Sequence, residues 1–191
     1  MVLSGATVLT PIHVTIDAMD NYPHHPADDL ARILSYQDAR DESSLIHEVA
    51  PEMYAMSCWT PEFCAALIRA ADLVGGYTSH ESDPVPGQEI SLAAISPSLF
   101  EAVQNDMGMR IWPQLQQHWP LIDYHGINDA FIIRYEVGGQ EELRIHHDVA
   151  QVSASVKLNS DYTGAELQFP RQEFSNANLA VGSLVAWPSL V

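Results

Sequence analysis

The sequence predicts an α+β fold, with helices in its first part and antiparallel strands in its second part. Apolar residues recur at helical spacing in several segments before residue 120, and they alternate along short segments after it. This order of elements suits helices packed on an antiparallel sandwich or jelly roll (a double-stranded β-helix). No linker-like segment divides the 191 residues, so we expect one domain, with a mostly helical part at 1–120 and a jelly-roll core at 121–191.

Three segments of the first part carry the helical pattern. The first, 28–40, has apolar residues on one face. The second begins at Thr60-Pro61, a typical N-cap followed by proline, and ends at Gly75-Gly76. The third begins at Ser96-Pro97 and continues to Trp112, where Pro113 is expected to kink or restart the helix.

The second part contains four β-rich segments, separated by turns rich in Gly, Pro and Asn: 130–137, 152–158, 164–169 and 183–187. The segment 152–158 alternates most regularly, with Val152, Ala154, Val156 and Leu158 on one face and Ser153, Ser155 and Lys157 on the other. A half-polar strand of this kind is typical of a sandwich.

The composition limits the classes of partner. With 25 acidic and 8 basic residues the formal charge is -17, which argues against a general nucleic-acid surface and against binding to anionic membranes. The charge fits a cationic substrate, and it also fits simple solubility. Four of the basic residues lie in a short C-terminal stretch where an anionic small molecule could be held: Arg134, Arg144, Lys157 and Arg171.

The cysteines and the apolar segments indicate the compartment. Cys58 and Cys64 have neither a zinc-ligand spacing nor the number needed for a disulfide framework, so we expect buried, reduced thiols. No secretory signal and no membrane-spanning run is evident. These features predict a soluble, cytoplasmic protein, and they leave its oligomeric state open.

The segment from Arg144 to Asp148 carries the most informative chemistry. His146 and Asp148 are two residues apart, so on an extended strand both side chains point to the same side, while His147 points to the other. An imidazole and a carboxylate on one side can occupy part of one face of an Fe(II) octahedron, leaving positions open for a cosubstrate and oxygen.

The last third of the chain resembles the catalytic domain of the lysyl and prolyl hydroxylase group of Fe(II)- and 2-oxoglutarate-dependent oxygenases, with the lysyl hydroxylase branch most similar. The resemblance covers roughly 125–191 and rests on several separate motifs: Phe131-Ile132-Ile133-Arg134-Tyr135-Glu136, Leu143-Arg144-Ile145-His146-His147-Asp148, Val156-Lys157-Leu158-Asn159, Tyr162-Thr163-Gly164-Ala165-Glu166-Leu167 and Val181-Gly182-Ser183-Leu184-Val185-Ala186-Trp187-Pro188-Ser189.

This resemblance implies a site and a reaction. His146 and Asp148 match iron ligands, and Tyr135 matches a tyrosine that contacts 2-oxoglutarate. Ser155 stands where lysyl hydroxylases have an asparagine that also contacts the cosubstrate, and Arg144 matches an arginine beside the metal, with a substrate-binding or structural role. The implied cofactors are Fe(II), 2-oxoglutarate and O2. The implied reaction is hydroxylation of an unactivated C–H bond, and we expect an amino acid or small peptide-like metabolite as the substrate.

The chain stops at Val191, before the position where the family has its distal iron-binding His and an Arg or Lys for the far carboxylate of 2-oxoglutarate. We expect a complete enzyme to have both. A degenerate relative that binds without turnover, or a site completed by another chain, are the alternatives. Two other classes also stay open: a non-catalytic jelly-roll binding module, and a cupin-type metalloenzyme that does not use 2-oxoglutarate.

Overall fold

The computed structural model of the chain describes residues 2–6, 26–33, 45–79 and 85–190. The helices are α1 (Pro26–Ile33), α2 (Pro61–Val74), α3 (Leu92–Ile95), α4 (Pro97–Asp106) and α5 (Trp112–Leu115). The strands are β1 (Val2–Ala6), β2 (His47–Ala50), β3 (Met53–Ser57), β4 (Glu89–Ser91), β5 (Phe131–Tyr135), β6 (Val152–Lys157), β7 (Gln168–Phe169), β8 (Phe174–Ser175) and β9 (Ser183–Pro188). The helices of these ranges are too short or too polar to cross a bilayer.

Helix α2 has the boundaries that the sequence predicts. The Thr60 hydroxyl accepts a hydrogen bond from the Phe63 amide at 3.2 Å, and Pro61 occupies the first turn. At the other end Gly75 adopts a φ of 65°, and its amide donates to the Ala71 carbonyl. The apolar side of α2 is buried through Phe63, Cys64, Leu67, Ala70 and Ala71.

The helix that begins at Ser96 shows what Pro113 does. Between α4 and α5 the chain forms a π-helical turn at Met107–Ile111, and the amide of Trp112 donates to the Met107 carbonyl. Proline lacks an amide hydrogen and crowds the preceding turn, so the helical hydrogen bonds there span five residues instead of four. Within this turn Arg110 pairs with Asp106 at 2.7 Å. The predicted kink is therefore present as a π-helical turn.

The main sheet has seven strands in the order β2-β3-β9-β6-β1-β5-β4, and β7 pairs with β8 in a separate two-stranded sheet. Its pairs are antiparallel except that β1 runs parallel to both neighbours, β5 and β6. The α+β class is confirmed. The jelly roll is not confirmed, because the described sheets do not close. The expectation of a mostly helical part at 1–120 omitted the strands β1 to β4. Strand β3 gave no signal because it is buried on both faces, so its residues do not alternate between apolar and polar.

Strand β6 separates two apolar layers. Ala154, Val156 and Leu158 belong to the core beneath the helices, as the alternating pattern predicts. The opposite layer contains Val185 and Trp187 of β9, which pack with Phe169 and Phe174 of the β7–β8 hairpin. By register and alternation, Ser153, Ser155 and Lys157 face this second layer, and all three are buried.

Gly182 joins three strands at one rim of the sheet. Its carbonyl accepts hydrogen bonds from the amides of Cys58 and Trp59, just after β3, and its own amide donates to the Lys157 carbonyl at the end of β6. Gly182 has a φ of 86°, and a Cβ there would lie 1.8 Å from the Trp59 carbonyl oxygen. Both the backbone angle and the close approach therefore require glycine.

We expect Gly182→Ala to lower the free energy of unfolding by about 3 kcal/mol, because it adds a backbone clash to an unfavourable φ. Gly164→Ala is the matched control, since Gly164 has a φ of 83° but no atom within 4 Å of the added carbon. That control should lose only about 1 kcal/mol. Urea denaturation of both variants measures the difference, and equal losses would show that contact with Trp59 is unimportant.

Candidate metal site and the polar face of β6

His146 and Asp148 lie side by side, although not on a strand. Both belong to the irregular segment between β5 and β6, which corrects the expectation of an extended strand. The distance from His146 Nε2 to Asp148 Oδ1 is 3.2 Å, and the two side chains are 35% and 24% exposed. The pair that the spacing predicts is thus brought together where solvent can reach it.

The imidazole of His146 is oriented by its own chain. Its Nδ1–H donates to the carbonyl of Arg144 at 2.6 Å, so Nε2 is the nitrogen that faces Asp148. In a neutral imidazole held in this way, Nε2 carries a lone pair, and it faces a carboxylate oxygen across 3.2 Å. A ring nitrogen and a carboxylate oxygen are atom types that a divalent metal ion accepts as ligands.

The spacing also matches a metal site. Two ligands at right angles and about 2.1 Å from one ion lie about 3.0 Å from each other, close to the observed separation. Within the ranges that the structure describes, no third His, Cys, Asp or Glu joins the pair to make a group of three. His147 is exposed next to the pair. The described residues therefore supply two ligands with suitable chemistry.

Tyr135 is the last residue of β5 and is largely buried. Burial, and then the neighbouring Tyr162, raise the pKa of the Tyr135 phenol to about 12. The phenol is consequently neutral at physiological pH and can donate a hydrogen bond to an anion. In the sheet, Val2 pairs with both Phe131 and Ser155, so alternation places Tyr135 on the same face as Ser155.

Ser155 lies in the middle of β6 and is 3% exposed. Its hydroxyl is buried, and the residues that the structure describes offer it no hydrogen-bond partner. A buried hydroxyl without a partner is costly in a folded protein, and such groups often mark a place where a ligand or water binds. The structure thus places both residues expected to contact the cosubstrate, Tyr135 and Ser155, on one face.

Arg144 is exposed, and its backbone carbonyl accepts the hydrogen bond from His146 Nδ1. A substrate-binding role for its side chain stays a prediction. Arg134, another member of the basic stretch, pairs with Asp72 of α2 and lies 4.1 Å above the Tyr77 ring. Arg134 therefore ties the sheet to α2 rather than facing Tyr135.

Two further residues of this face were not predicted as site residues, although Lys157 belongs to the basic stretch and Tyr162 to one of the motifs. Lys157 is 5% exposed, and its ammonium donates to the carbonyls of Ala177 at 2.8 Å and Asn176 at 3.3 Å. The Tyr162 ring centroid lies 6.0 Å from this ammonium, and Tyr162 also neighbours Tyr135. The available signal was the alternation of Lys157 with Ser153 and Ser155, which places all three on one side of β6.

Comparison with known proteins gives distant relatives. No protein-family model matches the chain. The chain is 24% identical over 152 residues to a multifunctional procollagen lysine hydroxylase and glycosyltransferase of Rattus norvegicus, a match that covers 73% of this chain and 20% of that protein. It is also 24% identical over 167 residues to a procollagen lysyl hydroxylase and glycosyltransferase of Acanthamoeba polyphaga mimivirus, covering 73% of this chain and 18% of that protein.

These matches agree with the resemblance found in the motifs, and they are distant. The chain spans about a fifth of the length of the relatives it matches. Both relatives are enzymes by name, and both names include the hydroxylation of lysine in procollagen.

Titration of the tyrosines tests the environment of Tyr135. Because its pKa is raised from 10.0 to about 12, Tyr135 favours the folded state below pH 10, and this stability is lost as the pH rises from about 10 to about 12. Tyr135→Phe should remove one phenol that ionises near pH 12. Tyr162→Phe should lower the pKa of Tyr135, because Tyr162 raises it. Phenolate absorbance measures both effects. An unchanged pKa of Tyr135 in the Tyr162→Phe variant would contradict the proximity of the two tyrosines.

Proposed function

We propose that this chain carries part of the active site of an Fe(II)- and 2-oxoglutarate-dependent hydroxylase. The observation that supports this most strongly is the pairing of His146 Nε2 with Asp148 Oδ1 at 3.2 Å, with the imidazole held by the Arg144 carbonyl. A neutral nitrogen and a carboxylate oxygen are ligands that Fe(II) accepts. The distant similarity to procollagen lysyl hydroxylases favours this metal and this chemistry.

In this proposal the protein holds and orients the reactants. His146 and Asp148 bind the metal, and Tyr135 of β5 and Ser155 of β6 hold 2-oxoglutarate from the face of the sheet that they share. Bound iron, together with 2-oxoglutarate and O2, supplies the oxidising power that removes hydrogen from an unactivated C–H bond. The neutral phenol of Tyr135 donates to the anionic cosubstrate without adding negative charge. The packed layer around Trp187 keeps bulk water away from this face.

We propose an amino-acid-like substrate with a cationic group. The relatives are named for the hydroxylation of lysine, and the formal charge of this chain is -17. A strongly acidic protein attracts cations and repels anionic polymers. A free amino acid or a small peptide-like metabolite fits this chemistry, and a lysine residue within a protein is the second candidate.

Anaerobic titration with Fe(II) tests the metal site. His146→Ala and Asp148→Ala should each weaken Fe(II) binding by more than about tenfold, because each removes one ligand from a site with few protein ligands. His147→Ala is the matched control, since it removes an exposed imidazole next to the pair, and it should leave the affinity unchanged. Calorimetry gives the affinities, and equal binding by all three variants would exclude this site.

A turnover assay separates the remaining alternatives. We expect the chain, supplied with Fe(II), O2 and 2-oxoglutarate, to release succinate with a lysine-like substrate, and to release much less after Asp148→Ala. Product formation without 2-oxoglutarate would support a cupin-type metalloenzyme instead. Absence of both Fe(II) binding and turnover would support the non-catalytic binding module.

A further inference from the structure

We propose that a cavity beside Arg134 binds a small primary amine that also carries a carbonyl or carboxylate oxygen, as an amino-acid amide or an amino acid does. The oxygen accepts a hydrogen bond from Arg134 Nε, and the ammonium group pairs with Glu136. A cavity that contains a buried, unpartnered guanidinium N–H and a carboxylate carries this inference. The site is separate from the face of Tyr135, because Arg134 and Tyr135 are consecutive in β5 and point to opposite sides of the sheet.

The cavity lies at the β4 edge of the main sheet, and its residues come from β5, the turn after β5, the approach to β4 and the loop after α2. It is lined by Tyr77, Gln88, Arg134, Glu136, Gly139 and Gln140. Its volume is about 230 Å³, below the roughly 300–1,000 Å³ of sites for drug-sized ligands, so it suits a smaller molecule. Backbone hydrogen bonds fix its walls, since the Arg134 amide donates to the Gln88 carbonyl and the Glu136 amide to the Gln140 carbonyl, both at 2.8 Å.

The guanidinium of Arg134 is held in place and still has a donor that the protein does not use. Its Nη2 donates to Asp72, and its carbon lies 4.1 Å from the centroid of the Tyr77 ring. Its Nε is buried, and the described residues offer this N–H no acceptor. A buried donor without a partner is unfavourable, so an acceptor oxygen inside the cavity would be bound by a group that is already oriented.

The charges around the cavity favour an amine over an anion. Asp72 already pairs with the Arg134 guanidinium. Burial raises the pKa of Tyr77 to about 12, so its phenol is neutral at physiological pH. Glu136 adds a negative charge beside Gly139, and among the described residues no cation forms a salt bridge with it. The walls therefore carry one net negative charge, which attracts an ammonium group, while Arg134 Nε selects amines that also have an acceptor oxygen.

Binding of L-alaninamide at neutral pH in the presence of EDTA tests this cavity without iron or turnover. A ligand that binds the folded state raises the unfolding temperature, and the dependence on concentration gives its dissociation constant. Isopropylamine, in which a methyl group replaces the carboxamide, should bind at least about tenfold more weakly, because it cannot accept from Arg134. N-acetyl-L-alaninamide, whose nitrogen is uncharged, should bind at least about threefold more weakly, because it cannot pair with Glu136.

Variants of the cavity assign the two contacts. Arg134→Met should weaken L-alaninamide at least about tenfold, since a hydrogen bond from a charged group is lost. Glu136→Gln should weaken it at least about threefold, since an ion pair at an exposed carboxylate is lost. Glu142→Gln is the matched control, because it removes the same charge from an exposed residue nearby that does not line the cavity, and it should bind as the unmodified protein does.

Several results would overturn the site. No stabilisation by L-alaninamide, or equal binding of isopropylamine, would show that water alone fills the cavity. If Arg134→Met does not fold, Glu136→Gln against Glu142→Gln decides, and equal affinities of these two variants would reject the contact with the ammonium group and with it the site.

The site also fails separately from the proposed function. We expect Asp148→Ala to bind L-alaninamide as the unmodified protein does, because Asp148 does not line the cavity. Loss of binding in Asp148→Ala would place the amine at the proposed iron site and overturn its assignment to this cavity. Binding that depends on Glu136 but not on Asp148 keeps the cavity as an amine site, whether or not the protein binds Fe(II).

Discussion

The junction at Gly182 is the constraint on which the polar face of β6 depends. One carbonyl oxygen accepts from two consecutive amides after β3, while the amide of the same residue donates to Lys157 at the end of β6. The ends of β3 and β6 and the start of β9 are therefore fixed relative to one another by a single residue without a side chain. Arg110 extends the junction to the π-helical turn, because its guanidinium donates to the Cys58 carbonyl at 3.1 Å. The position of Lys157 thus follows from backbone hydrogen bonds that are independent of its own charge.

Strand β6 has two faces with different requirements. Its apolar residues pack against the core beneath the helices, which needs no further partner. The other face buries polar groups, and each must recover its lost hydration through hydrogen bonds. The Ser153 hydroxyl forms a hydrogen bond with the Ser189 hydroxyl at 2.7 Å. The Lys157 ammonium uses two of its three N–H groups to donate to backbone carbonyls. The Ser155 hydroxyl has no hydrogen-bond partner within the described part of the chain. The Ser155 hydroxyl therefore lies between two buried polar residues that do form hydrogen bonds.

The sequence predicts some levels of this structure better than others. The boundaries of α2 follow from local chemistry at Thr60 and Gly75, and the alternation in β6 follows from one strand alone, so both were predicted correctly. Strand β3 was missed because burial on both faces removes the period of two, and four consecutive buried residues carry no directional signal. The closed jelly roll was not confirmed, since closure depends on pairing between distant segments rather than on local pattern. His146 and Asp148 were predicted to point to the same side of an extended strand. The structure has no strand there, and the two side chains approach to 3.2 Å within an irregular segment in which the Arg144 carbonyl orients His146.

The residues that the proposed function uses fall into two groups whose electrostatics are opposite. His146 and Asp148 bring a lone pair and a negative charge together at an accessible position, an arrangement that favours a cation. Lys157, Ser155 and the phenol of Tyr135 bring a positive charge and neutral donors to a buried face, an arrangement that favours an anion. In a chain with a formal charge of -17, an anionic ligand is repelled by the whole protein, so local compensation is needed for it to bind.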